Sequence, residues 1–348
     1  MARASLWLPP TLILLTWLSG CASVAPLGSM LPPGGPSRVE LLDTPFFPQE
    51  DHQCGPSALA TVLEASGSPA RPEQLVAEVY LPGREGSLQQ ELLAATRRRG
   101  RLAYVLSGEA DALLAEVQAG RPVLVLQNLG VDAYPIWHYA VLIGFDAQRN
   151  DVILRSGRQQ RLLMSWSRFE GSWRRGGQWA MTVLPPGTLP ARPSLPAYLD
   201  ACAGLEAAGM LDAAAAAYAA ASQRWPRSSL VELGTGNVAY ARGDLRGAVA
   251  AYQRGIDLSP SDAALRNNLA QALLDSGCVG RARVEARQAA ELARGTLLET
   301  DVRETLESVE AAAASRGPSA SCPDAAQGDG DAQPLSLPHE PAARTRDR

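Results

Sequence analysis

The sequence predicts two folded parts: an α+β domain, with N-terminal helices packed on an antiparallel sheet, and then an all-α repeat solenoid. Three observations carry this. Across residues 40–187 helix-period segments come first and short apolar or alternating runs follow, the order of an α+β domain. Residues 195–315 are alanine-rich and helical throughout, with Pro226 and Pro260, Ala214 and Ala248, and Tyr218 and Tyr252 each 34 apart. Between the two parts "LPPGTLPARPSLP" is proline-dense, so 188–194 reads as a linker.

In the first part, "CGPSALATVLEAS" reads as a helix starting near Cys54, with Pro56 in its first turn and Gly67 closing it. "RPEQLVAEVYL" is a second helix. "SLQQELLAATRRRG" is a third, opened by a capping box of Ser87 and Gln90 and closed by Gly100. "RLAYVL" is a strand, "EADALLAEVQAG" a fourth helix and "PVLVLQNL" a strand. "WHYAVLIGFD", entered at His138, the turn "AQRN" and "DVILR" form a hairpin. "RLLM" and "QWAMTVL" are further strands around a helical "SWSRFEGSW".

In the second part the repeated positions are those where paired helices pack, and they resemble the tetratricopeptide repeat. A third unit keeps Ala282 but has Ala286 and Arg294 where the aromatic and the proline stood. Residues 299–315 read as a capping helix. The resemblance implies a concave surface for a protein partner. Residues 316–348 are polar, rich in Pro, Gly and Ala, and expected to be disordered.

The chain has 348 residues, a net charge of −4 and 32 basic residues, all arginine. No basic face points to nucleic acid. Residues 1–20, with Arg3 followed by an apolar run, read as a secretory signal, and the run is too short for a membrane span. Leu18-Ser19-Gly20-Cys21 resembles the bacterial lipobox, which implies lipidation of Cys21 and a cell-envelope location. Ala22 next to it favours the periplasmic face of the outer membrane. Residues 21–39 then read as a Pro/Gly-rich spacer.

The five cysteines, at 21, 54, 202, 278 and 322, show no paired spacing, so neither a disulfide framework nor a zinc site is expected, and no cofactor is indicated. Cys54 stands at a helix N-terminus, where the partial positive charge favours a thiolate. Of the three histidines, His339 lies in the tail and His52 is too near Cys54 in sequence to face it, so His138 is the candidate partner. Gln49 can supply a side-chain amide to an oxyanion, while the adjacent Gln53 diverges from the cysteine.

"FFPQEDHQCGPSALATVL" together with "WHYAVLIGFD" resembles the double-glycine (bacteriocin-processing) peptidase domain and its stand-alone relatives, within the papain-like cysteine peptidases. The resemblance spans residues 40–184, including "SRFEGSWRRGGQW". It implies Cys54 as nucleophile, His138 as general base and acid, and Gln49 as oxyanion donor, acting on a peptide or protein substrate. It also implies an Asp or Asn orienting the histidine, where this sequence has Ser156 and Gly157. A serine there predicts weaker catalysis, a silent binding scaffold, or a substitute carboxylate from Asp146 or Asp151. Thiol acyl transfer is the remaining alternative to hydrolysis.

Overall fold

The β-rich and helical runs of the N-terminal part collapse around one antiparallel sheet, seen in a computed structural model that describes residues 25–49 and 53–316. Strands β1 (Arg38–Glu40), β2 (Leu102–Val105), β3 (Val123–Asn128), β4 (Trp137–Asp146), β5 (Asp151–Ser156), β6 (Gln159–Ser165) and β7 (Ala180–Leu184) are ordered β2-β7-β3-β4-β5-β6. The ten-residue β4 is the hinge of this arrangement. Its first half pairs with β3, its second half with β1, and β5 runs along its other edge only from Val141 onward.

Side-chain alternation along the central strands sorts the helices onto two faces. Leu124, Leu126, Tyr139, Val141 and Ile143 pack with α1 (Cys54–Ala65), α2 (Pro72–Val79) and α3 (Gln89–Arg98). Val123, Val125, Ala140 and Leu142 pack with α4 (Ala110–Gln118) and α5 (Trp166–Arg175). The strands in the middle are apolar on both faces because both faces are covered.

Residues 25–39 are not a free spacer. Leu27 is fully buried, its N–H donates to Asn150 Oδ1 at 2.9 Å, and the Trp166 indole donates to the Ala25 carbonyl at 3.1 Å. The prolines that suggest a tether instead open tight turns, with Ser29 N–H donating to the Pro26 carbonyl and Gly35 N–H to that of Pro32, both at 3.0 Å. The scattered Leu27, Met30, Leu31 and Val39 find the apolar face of the sheet. Leu27→Ala is therefore expected to lower unfolding free energy by about 3 kcal/mol, measured by urea denaturation; unchanged stability would contradict docking.

The second part is six helices with a capping helix. α6 (Leu195–Ala207), α8 (Ser229–Ala241) and α10 (Ala263–Asp275) start 34 residues apart, as do α7 (Leu211–Arg224), α9 (Leu245–Leu258) and α11 (Val279–Ala293). Their pairs stack by small residues and tyrosines: Ala214, Ala217, Tyr218, Ala248 and Tyr252 are all buried. α12 (Glu299–Arg316) closes the stack with Val302 and Val309 inward.

The linker is a strap, and the two parts share one core. Tyr198, Ala201, Cys202 and Leu205 of α6 join the cluster that contains Leu102 and Tyr104 of β2. The Ser194 N–H donates to Tyr104 Oη at 3.1 Å. The Ala191 N–H donates at 2.6 Å to Glu116, whose buried carboxylate also takes Arg121 Nε at 2.5 Å.

One cysteine expectation is overturned: Cys278 is disulfide-bonded. Cys54 and Cys202 are free.

Candidate active site

α1 begins at Cys54 with Gln53 as its N-cap, and Gln53 makes no side-chain capping bond. The backbone N–H groups of Cys54, of Gly55 and of Tyr139, the residue after His138 on β4, act to lower the Cys54 thiol. Burial nevertheless outweighs them and pushes the Cys54 thiol up from its ordinary range. This reverses the expectation of a ready thiolate, because the positive helix end competes here with removal of the sulfur from water. Burial also pulls the His138 imidazole down, so the pair rests as neutral thiol and neutral imidazole.

Because β5 pairs with β4 only from Val141↔Arg155 onward, no strand of this ladder flanks the first residues of β4 on that edge. The backbone of Tyr139 is thus reached from this edge. Its carbonyl accepts the Gln49 side-chain amide at 3.4 Å, and its N–H is one of the groups that lower the Cys54 thiol. Gln49 is placed by its own N–H, which donates to the Gly157 carbonyl at 3.1 Å. Upstream, the mostly buried Arg155 donates to the carbonyls of Thr44 at 2.8 Å and Leu42 at 3.3 Å, fixing the segment that leads to Gln49.

Ser156 ends β5 beside the two-residue turn Gly157-Arg158, where Gly157 has φ +60°. The Ser156 Oγ lies 2.8 Å from His138 Nε2. Asp146 and Asp151 pair with each other at the opposite end of the hairpin, and the Asp146 carboxylate takes the Gln148 and Arg149 N–H groups of the turn. They are roughly 25 Å along β4 from His138 at the usual strand rise. Neither carboxylate reaches the imidazole, which corrects the alternative left open by the sequence.

Gln49, Cys54 and His138 line one cleft of about 900 Å³, walled on one side by residues 84–89 and on the other by residues 135–139. Ser156 stands behind His138 and is not part of the wall. Gln53 lines a separate depression with Phe47 and Pro72. His52, His339, Cys21 and Cys322 lie outside the described residues. No cluster of His, Cys, Asp and Glu that could hold a metal occurs among the described residues.

Three contributors were not read from the sequence. The Tyr139 backbone carries no residue-type signal. Arg155 did carry one, being a charge within the apolar run "DVILR". Ser87 was read as a helix cap, but α3 begins at Gln89 with Leu88 as N-cap and no side-chain capping bond.

Residues 41–181 match the Peptidase_C39 like family, and residues 236–277 match the TPR repeat. The N-terminal domain is C39-like. Among solved structures, a C39-like protein from Bacillus anthracis is 20% identical, covering 42% of this chain and 97% of its own, with a TM-score of 0.37. The peptidase domain of Streptococcus ComA, a bifunctional ABC transporter of quorum sensing, is 21% identical over 41% of this chain and 98% of its own, with a TM-score of 0.34. The Yersinia enterocolitica type III secretion chaperone SycD, in complex with a YopD peptide, is 21% identical over 34% of this chain and 92% of its own, with a TM-score of 0.32. No curated protein matches the sequence. The C39-like domain thus supplies the antiparallel sheet with its helices, and the TPR array follows it.

Proposed function

We propose that this protein is a cysteine peptidase of the bacterial cell envelope, lipid-anchored through Cys21, whose TPR array holds a protein partner. The observation that carries the peptidase reading is the convergence at the N-terminal end of β4. Cys54 and Gln49 meet the backbone of Tyr139, next to a His138 whose far nitrogen is occupied by Ser156.

In the tautomer whose Nε2–H donates to Ser156 Oγ, Nδ1 is the nitrogen left to accept the thiol proton. In the mechanism Cys54 sulfur attacks the carbonyl carbon of a peptide bond while His138 takes the proton. The oxyanion is met by the Cys54 N–H and by a Gln49 amide hydrogen. His138 then gives the proton to the departing amine, leaving a thioester. Water, deprotonated by His138, hydrolyses the thioester and restores the thiol.

The expected location draws support from the Cys278 disulfide, since such bonds persist in oxidising compartments, where an unpaired Cys54 needs a chemical reason. Among the described residues no helix is long and apolar enough to cross a membrane. A lipid on Cys21 would stand four residues ahead of Ala25, whose carbonyl accepts from the Trp166 indole.

A silent peptide-binding scaffold is the second reading. The serine behind His138 and the raised thiol favour it. One experiment separates the two: incubate the purified protein with a proteome-derived peptide library and sequence the products by mass spectrometry. New termini that vanish when Cys54 is first alkylated are the expected result. An unchanged library would leave only the scaffold.

A further inference from the structure

Ser87 is the one residue of the cleft wall whose side-chain oxygen is buried without a hydrogen-bond partner among the described residues. Its hydroxyl does not cap α3, so local structure does not account for it. It is also held firmly in place. A Cβ at Gly55 would stand 2.4 Å from Ser87 Oγ and 2.6 Å from its Cβ, so Ser87 packs straight onto the first turn of α1, beside the nucleophile. From the other wall, Tyr139 Oη donates to the Ser87 carbonyl at 3.3 Å. The side chain is thus pinned between the strand that carries His138 and the helix that starts with Cys54.

An orphaned buried hydroxyl works against folding, and alanine would fill the site without that penalty. Such a group is tolerated where a ligand completes it. We propose that Ser87 is a substrate-binding residue of the cleft, whose hydroxyl hydrogen-bonds the backbone amide of a bound peptide next to the bond under attack. The ligand class is a peptide in extended form, with its amide groups free to pair with the wall. This rests on the peptidase reading only in taking the occupant of the cleft to be a peptide. The bond forms on binding and persists through the reaction, so it governs affinity more than turnover.

The test compares wild type with Ser87→Ala and Ser87→Thr in three measurements. These are thermal melting, inhibition or capture by a tripeptide aldehyde, and KM and kcat for a peptide from the library experiment. The aldehyde forms a hemithioacetal with Cys54: the S–C bond forms, the carbonyl π bond opens and the thiol proton moves to the oxygen. Ser87→Ala is expected to melt no lower than wild type, to bind the aldehyde about tenfold more weakly and to raise KM about tenfold, with kcat within about threefold. Ser87→Thr, which keeps the hydroxyl, is expected to bind the aldehyde more tightly than Ser87→Ala.

A lower melting temperature with undiminished aldehyde affinity would make Ser87 structural and overturn the proposal, whether or not peptides are cleaved. If wild type cleaves nothing but captures the aldehyde in a Ser87-dependent way, the peptidase reading falls and this one stands. If it neither cleaves nor captures, both fall.

Discussion

Substituting His138 by alanine should slow peptide hydrolysis by about 10³- to 10⁴-fold, with the folded state unchanged by circular dichroism. Burial holds the Cys54 thiol in its protonated form, so attack depends on a base that accepts the proton as the S–C bond forms. His138 is the imidazole of the cleft wall, and its own burial keeps it unprotonated and ready to accept. Cys54→Ala should cost at least as much. The double variant should be no slower than Cys54→Ala alone, because the two side chains act in one step. The comparison is made on kcat/KM for one library-derived peptide. A His138→Ala enzyme within tenfold of wild type would remove the imidazole from the mechanism.

Ser156→Asp should move activity in the opposite direction. A serine hydroxyl 2.8 Å from Nε2 can accept the ring proton or donate one, so it fixes neither the tautomer nor the imidazolium. A carboxylate at that distance only accepts, which holds the proton on Nε2, frees Nδ1 and favours the charged ring. The sign follows from the two shifts. In the wild type the thiol titrates above its usual range and the imidazole below, so the thiolate–imidazolium pair is the minor form. Raising His138 places a cation near Cys54 and lowers the thiol. Each unit by which the thiol falls is worth about tenfold in thiolate at pH well below its titration. Iodoacetamide alkylation of Cys54 at pH 6 to 7, read by mass spectrometry, is expected to accelerate at least about tenfold in Ser156→Asp, and its pH profile to move to lower pH. Ser156→Asn, which orients without charge, should give a smaller gain. An unchanged profile in Ser156→Asp would show that the residue behind His138 does not set its ionisation.

Much of this arrangement was legible in the residues. The helix from Cys54, the hairpin around "AQRN" and the pitch of 34 follow from local patterns, and each element formed where those patterns lay. Ser156 behind the histidine was readable through the family resemblance, which lays "DVILRSG" on the strand after His138; register alone, shifted between Leu142 and Gly144, does not set it opposite that residue. What escaped depended on distant parts of the chain. Proline-rich residues 25–39 have no period, yet their few apolar side chains join the core that α4 and α5 share with the sheet. Ser87 followed by Gln90 satisfies the capping pattern, but α3 starts two residues later and the serine packs against Gly55 in the cleft wall. The thiol's ionisation depended on its burial, which no window around Cys54 encodes.

The shared core of β2 and α6 gives the protein a fixed internal scale. Tyr104 and Tyr198 lie with ring centroids 6.5 Å apart, and Arg97 of α3 fills the space a side chain at Gly204 would need. On the function proposed above, a chain held by the repeats would be presented at a set distance and angle from the sulfur. The array would then work as a ruler, measuring along that chain to choose which of its peptide bonds arrives at Cys54.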